Sequence, residues 1–343
     1  METTDHSGGT PASKMRRALG VGMLGAAMLG ASIPTVANAQ SAAAWPTKSI
    51  RVIVPVAAGG VHDLVIRILA PKLSRELGQT IIVENRPGAD WAVGTQAAAR
   101  SQPDGYTWVM ASIPTTANAV LKKTPYDPVA DFTAVANIGS TAGVMLVAPE
   151  LGVKSLADFV KLAKSKPKEI AFANAAIGSL GHINAALLES ITGIELNMVV
   201  YSGGQSALVT DLLTNRVNFA MLSPIVALSY IEAGKLVPLA VAAPKRSPLL
   251  PNVPTTVELG YPNLTVQAWS GVLMPAGTPP AIIKRANAAI HAATADPEVI
   301  ALLERQAIAI APPSPPEAVA AMIRDEMAQW PKLFEIAKIK REQ

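Results

Sequence analysis

The chain has no cysteine, which excludes a thiol nucleophile, thiolate metal ligands, disulfides and a lipid-modified cysteine anchor. Aromatic residues make up only 4% of 343, too few for the stacking platforms that hold single-stranded nucleic acid. Charge is also scarce. Charged residues are 16%, and 29 Lys and Arg against 25 Asp and Glu leave a net +4. A surplus spread that thinly is no nucleic-acid footprint, so no nucleic-acid partner is expected. The four histidines, His6, His62, His182 and His291, lie far apart and form no HExxH. No G-x-S-x-G elbow occurs. Gly178, Ser179 and His182 sit on one helix start and cannot alone form a nucleophile–base–orienter chain. No paired carboxylates stand out. These absences count against a secreted hydrolase, and neither metal nor cofactor is expected.

What the chain does have is apolar bulk: half its residues are hydrophobic, which excludes long disorder. Its length suggests two domains of roughly 100–200 residues. The first forty residues read as an address. Lys14, Arg16 and Arg17 precede an apolar run from Ala18 to about Ala31, and Ala37-Asn38-Ala39 makes a small-x-small cleavage site. The run is shorter than the roughly 20 residues a bilayer span needs, so residues 1–39 read as a secretory signal peptide. Cleavage after Ala39 leaves a mature chain starting at Gln40. It removes three basic and two acidic residues, so the charge falls from +4 to +3. Glu2 and Asp5 do not belong in such a leader, which leaves Met1 and Met15 as alternative starts. The expected location is the periplasm.

Past the leader, strand and helix patterns alternate. Ile50–Pro55, Ile81–Val83, Tyr106–Met110, Val144–Val147, Ile170–Ala173, Leu196–Val200, Val217–Met221, Val237–Val241 and Trp269–Met274 read as short buried strands. Helices are expected over 61–77, stopped by Gly78, and over 90–100, 179–192, 205–213, 224–232 and 279–306. Ser155–Asp158 opens another as a capping-box variant. Ser314-Pro315-Pro316-Glu317 opens a last helix, with Val319, Ile323, Met327 and Trp330 buried and a kink or stop at Pro331. The βαβα order predicts parallel sheets covered by helices. No internal repeat is visible.

Glycine-rich turns carry the functional signal. Val54–Asp63 joins a strand to a helix through Ala58, Gly59 and Gly60. Glycine lets the backbone approach a ligand, and the helix start offers N–H groups and partial positive charge to an anion. It is neither a dinucleotide fingerprint nor a phosphate loop with its lysine. Ala176–His182 and Tyr201–Ser206 repeat the design, with Gly178, Ser179, His182, Tyr201 and Gly203 as candidates. Three such starts point to one shared anion site.

Here the sequence resembles a known family. Pro55-Val56-Ala57-Ala58-Gly59-Gly60 followed by Asp63 is similar to the first-loop motif of the Bug receptors, periplasmic substrate-binding proteins of tripartite tricarboxylate transporters. Further matches run in order. They are Leu77-Gly78-Gln79, Val83–Ala89, Pro103–Tyr106, Pro125–Pro128, Gly178-Ser179 with His182, Tyr201 with Gly203, Ala233–Leu236, Val253–Thr255 and Pro275–Pro279. Together they span about Trp45 to Lys340. The resemblance implies an α/β, two-lobed venus-flytrap fold with the ligand cleft between lobes. Lobe one would be 45–143 with 269–343, and lobe two 144–268. It also implies a small carboxylate ligand gripped by first-loop N–H groups and waters, and delivery to transporter membrane subunits by a monomeric, non-catalytic receptor. A sensor for a two-component system is the alternative within the binding class.

Some positions depart from the family. Val61 stands where the family usually has proline or a small residue, and His62 where it has a small or polar one. His62 either pairs, protonated, with a second carboxylate or is a solvated first-turn histidine. Asp90-Trp91 replaces what is commonly a glycine pair. Asp90 either caps the next helix or faces the cleft. Trp91 either walls the pocket, which would suit a flat carboxylate, or packs between loop and lobe. Asp63 is expected to cap its helix or hold a water, since its charge repels a carboxylate. His182, Tyr201 and Ser206 face the ligand or make ordinary loop bonds. Ser112, Thr115 and Thr116 follow the third strand and line the pocket or pack. Arg86 is read as a structural salt bridge.

Overall fold

The computed structural model describes residues 45–340 apart from 175–177 and 202–203, with the side chains of 204–207 also left out. The leader, the alternative start and Gly203 lie outside the described residues, as does the Ser206 side chain.

Two mixed sheets organise the chain. The first has β1 (Ile50–Val54), β2 (Ile81–Asn85), β3 (Thr107–Ala111), β4 (Phe132–Thr141), a late strand Ala268–Pro275 and a short one, Ala309–Ile310. The second has β5 (Val144–Val147), β6 (Ala171–Asn174), β7 (Asn197–Val200), β8 (Phe219–Leu222) and β9 (Val237–Val241), so the late strands are β10 and β11. Strand order is β11-β4-β10-β3-β1-β2 in one and β7-β6-β8-β5-β9 in the other. Each contains a parallel trio, β2-β1-β3 and β7-β6-β8. In each, the third strand of the trio pairs antiparallel with a neighbour, β10 or β5. The expectation of wholly parallel sheets therefore fails at β5, β10 and β11, which run against the trios, while β4 and β9 run with them but pair only with antiparallel strands. A strand that enters a sheet from the other sheet need not make a right-handed helical crossover, so either direction is open to it.

Helices connect the trio strands. α1 (Val61–Leu77) follows β1, α2 (Ala92–Ala99) follows β2 and α3 (Ile113–Leu121) follows β3. After α4 (Leu156–Ser165), α5 (Leu180–Thr192), α6 (Gly204–Leu213) and α7 (Pro224–Glu232) follow β6, β7 and β8 in the same way. α1 buries Val65, Ile66, Leu69, Leu73 and Leu77 at helical spacing and ends on left-handed Gly78, φ 70°. Ser155 caps α4 by accepting from the Asp158 amide at 3.1 Å. The helix expected over 279–306 is two, α8 (Pro280–Thr294) and α9 (Pro297–Arg305), because Asp296 caps a new helix with Pro297 at its first position.

The last helix, α10 (Pro316–Ile336), runs through Pro331 without stopping. Trp330 and Phe334, buried and stacked with centroids 5.5 Å apart, bracket the proline and hold both sides in place. α10 packs on β4, on α3 and on α5, so it touches elements attached to both sheets. One apolar cluster accordingly includes Val109 and Leu273 from the first sheet, Phe172 and Phe219 from the second, and Trp269, Trp330 and Phe334 between. Among the described residues, no helix is long and apolar enough to cross a membrane.

Candidate functional site

In an open sheet with parallel strands, ligands bind beyond the carboxyl ends of those strands, where connections leave to opposite sides. Orders 2-1-3 and 7-6-8 put that point after β1 and β3 in the first sheet, and after β6 and β8 in the second. The segments there are 55–60 and Ser112, then 178–179 and Ser223. Three of these four segments were singled out from sequence.

The first turn is fastened by a side chain from its own helix. Gly59, at φ 83°, donates its N–H to Asp63 Oδ2 at 2.9 Å. Asp63 also accepts from Arg67 Nε at 2.9 Å and from Asn85 Nδ2 at 2.9 Å. Asn85 ties the turn to β2 by donating to the Val56 carbonyl at 3.1 Å. Burial alone would raise the Asp63 carboxyl. Bonds from Arg67, Gly59 and Asn85 outweigh it and hold the group below the usual carboxylate range. Asp63 is thus buried and fully partnered, a clasp on the turn. Gly60 donates to the Ala57 carbonyl at 3.2 Å. Both glycine N–H groups therefore serve the turn. The donors this loop offers outward are the first-turn N–H groups of Val61, His62 and Asp63, which have no carbonyl one helical turn behind them. Ala58 is exposed at the apex.

The second glycine turn uses the same device. Gly178, at φ 77°, donates its N–H to His182 Nδ1 at 3.0 Å, four residues ahead as in the first turn. Ser179 caps α5, accepting from the His182 amide at 3.4 Å and donating to Asn174 Oδ1 at 2.8 Å. His182 is buried, and burial lowers its pKa. With Nδ1 accepting, the neutral ring carries its proton on Nε2. The hydroxyl of Tyr201 donates to Asp211 Oδ2 at 2.8 Å, a bond within its own loop and helix.

His62 is half-buried and neutral near pH 7. Its Nε2 donates to the Trp269 carbonyl at 3.3 Å, and its ring meets Trp91 edge-on with centroids 4.6 Å apart. Desolvation lowers its pKa to about 4 against the helping Trp269 bond. An imidazolium reading a second carboxylate is therefore absent near neutral pH. Asp90 does not cap α2, because Trp91 occupies the cap position. The Asp90 carboxylate is 77% exposed and pairs with Lys122 Nζ at 2.9 Å. Ala89, Asp90 and Trp91 all have positive φ, at 45°, 48° and 78°. This conformation costs a non-glycine residue roughly 1–2 kcal/mol. The Lys122 ion pair, and the Trp91 ring buried against His62, hold it in place. Strain of this kind gathers where a loop is shaped for a task.

Ser112 sits just ahead of α3, wholly buried; its Oγ faces the Thr115 amide in a loose capping box but makes no close hydrogen bond. Thr115 and Thr116 are buried beneath it. Arg86 pairs with Glu84, the structural salt bridge expected. Sequence reasoning passed over Arg67, Asn85 and Asn174, which hold the two turns. Asn85 lay in the quoted Val83–Ala89 motif, and position Asn174 just ahead of the glycine turn was the available signal. It also passed over Trp269, whose carbonyl receives His62.

The electrostatics of the turns are uniform. Neither 55–62, 112–116, 175–182 nor 201–206 contains Lys or Arg. Whatever anion these turns hold meets backbone dipoles and neutral side chains.

Comparison with known proteins gives the same direction. The family described as Tripartite tricarboxylate transporter family receptor matches residues 65–339. Protein BugT of Bordetella pertussis is 35% identical over 309 residues, covering 89% of this chain and 94% of BugT. Rpa4515 of R. palustris, solved with adipate, is similar at a TM-score of 0.73 and 30% identity, covering 86% of this chain and 99% of that one. MatC from Rhodopseudomonas palustris, solved with bound malate, is similar at a TM-score of 0.69 and 28% identity, covering 84% and 99%.

Proposed function

Because the chain belongs to the receptor family of tripartite tricarboxylate transporters, we propose that it is a solute-binding receptor that captures a small carboxylate and delivers it to transporter membrane subunits. Its fold is that family's two-lobed periplasmic-binding-protein fold. The observation that carries the reading is the pair of clasped glycine turns, Gly59–Asp63 and Gly178–His182. Each turns a helix start toward the strand ends with no unpaired side-chain cation, since Arg67 is paired with Asp63. A carboxylate is held there by first-turn N–H groups of Val61 and His62, with Ser179 contributing from the other lobe. Ser112, with its unpartnered hydroxyl, donates to or accepts from the bound molecule. Asp63 and His182 shape the site without touching the anion, and Trp91 with His62 forms its apolar wall. Lobe one is 45–143 with 269–343, and lobe two 144–268, with α10 strapped across both. The receptor acts as a monomer without catalysis, in the periplasm, after cleavage behind Ala39.

Thermal shift of the chain from Gln40 onward against a carboxylate panel, including adipate, malate and flat aromatic monocarboxylates, tests this. A ligand at a hundred times its Kd adds about 2.7 kcal/mol. At least one carboxylate should raise Tm and be recovered chemically unchanged. A panel without any shift, or turnover of the bound acid, overturns the reading.

A further inference from the structure

Glu326, on α10, is a half-buried carboxyl that ligand capture as described does not use. Trp269 donates its indole Nε1–H to it, 3.0 Å from Oε1 and 3.2 Å from Oε2. Thr116 Oγ1 lies 2.6 Å from Oε2. Thr116 Oγ1 is also 3.0 Å from the Ile113 carbonyl and accepts from Trp330 Nε1 at 3.1 Å. Three elements meet at this one group: α3, which follows Ser112; β10, where the chain returns to the first sheet; and α10. The Trp269 carbonyl, on the same residue, is the acceptor on which His62 of the anion loop rests at 3.3 Å. The path from carboxyl to loop is therefore three contacts long: Glu326, Trp269, His62.

The cluster has two complete hydrogen-bond patterns. With Glu326 protonated, its O–H donates to Thr116 Oγ1, and the Thr116 hydroxyl turns to the Ile113 carbonyl. With Glu326 ionised, the Thr116 hydroxyl turns to the carboxylate and the Ile113 carbonyl loses that donor. In the second pattern a carboxylate is part-buried with no cation beside it. α3, β10 and β4 carry no ionisable side chain within their spans. α5 offers His182, held neutral, and Glu189, whose amide partner is Leu196. On α10, neighbouring Arg324 and Asp325 are exposed; on α1, His62 meets the Trp269 carbonyl while Asp63 and Arg67 pair with each other. Residues 175–177 and 202–203 add no ionisable group. Burial accordingly raises the Glu326 pKa to about 7, against the lowering bonds from Thr116 and Trp269.

We propose that Glu326 is a positioning residue for ligand capture: it clamps Trp269 to Thr116, and its proton sets where Trp269 holds the His62 end of the anion loop. Capture by this receptor is thereby coupled to ambient pH through a group outside the ligand's reach. The proposal rests on the first loop being the carboxylate site.

The test needs no ligand, so its failure is separable from failure of the binding reading. Backbone and indole ¹H–¹⁵N resonances of the chain from Gln40 onward are followed from pH 5 to 8.5. The Trp269 indole and the amides of Gly59 to His62 should move together with a midpoint near 7. Both movements should vanish in Glu326→Gln, which keeps an acceptor for Trp269 and a donor for Thr116. In Trp269→Phe the Glu326 carboxyl, read by its ¹³Cδ resonance, should still titrate while the loop amides stay still. Loop amides that never move, or that move equally in Glu326→Gln or in Trp269→Phe, overturn the proposal. An indole that titrates alone overturns it as well, since the clamp would then be structural only.

Discussion

Asp63 shows how one side chain can define a site it does not enter. It gathers the Gly59 amide, the Arg67 guanidinium and the Asn85 amide on one buried carboxylate. Asp63→Ala leaves two of those donors inside the turn without an acceptor. A lost buried acceptor costs roughly 1–3 kcal/mol, so stability by denaturant titration should fall by about 2 kcal/mol and carboxylate affinity should fall with it. An unchanged affinity would place the anion elsewhere. The two glycines beside it differ in kind. Gly59 needs its left-handed φ of 83°, while a β-carbon there meets nothing. Gly60 is extended at φ −68°, but a β-carbon would sit 3.0 Å from Val56 Cγ2 and 3.2 Å from the Ala57 carbonyl oxygen. Gly60→Val therefore acts by displacing the turn that sets the Val61 and His62 amides. Its affinity for the best ligand, measured by calorimetry, should drop at least tenfold, about 1.4 kcal/mol. Wild-type affinity would remove the first loop from the site.

Among the elements, α10 is the one whose role the sequence hid. Trp330 is buried, stacks on Phe334 and donates to Thr116 on α3. Trp330→Ala should cost about 4 kcal/mol, in the range for large aromatic truncations. Because the apolar cluster runs from sheet to sheet past this residue, calorimetry should show one unfolding transition at a lower temperature. A second, unshifted transition would mean that the lobes unfold separately. The buried stripe of α10 was readable from its spacing, but its passage through Pro331 was not. Local propensity argues for a break there, and tertiary packing of Trp330 and Phe334 overrides it. The same limit explains other misses. α3 begins Ile113-Pro114-Thr115-Thr116, which reads as a loop until its partners are known. β4 carries Thr133, Asn137, Gly139 and Ser140, so its alternation is broken. Its register slips twice against β10, and the Ala309 carbonyl oxygen would lie 2.5 Å from a β-carbon at Gly139. The glycine turns were legible because they are local: strand, glycine and helix start are adjacent in the chain. Their fasteners were half legible, since Asp63 and His182 lie four residues on, whereas the Trp269 carbonyl under His62 is 207 residues away. The shared plan of the two parallel trios left no sequence repeat, because it is a plan of connections and not of side chains.

At the scale of the whole molecule, three of the titratable groups that burial shifts set opposing slopes of stability against pH. His62, lowered to about 4, and His182, lowered by burial, stay neutral in the folded chain. The unfolded chain protonates them below about pH 6.5. Both therefore withdraw stability as pH falls below that value, and restore it as pH rises. Glu326 runs the other way. Unfolded, it ionises near 4.5; folded, near 7. The folded chain holds the extra proton across that window, so stability drops as pH rises from about 4.5 through 7. The slopes overlap between about pH 4.5 and 6.5 and offset one another, while above pH 7 the cost of the raised carboxyls, Glu326 and Glu189, remains. A shift from 4.5 to about 7 corresponds to about 3 kcal/mol. Glu326→Gln keeps the hydrogen bonds of the protonated form without the charge. Its Tm by scanning calorimetry should match wild type near pH 4.5 and exceed it by several degrees at pH 8. Between these limits the wild-type curve should be nearly level, and the variant curve should climb toward pH 6.5 as the histidines lose their unfolded-state protons. A constant difference between the two curves would assign the titration to another group, and a variant less stable at pH 8 would mean that the ionised carboxylate is the form the fold prefers.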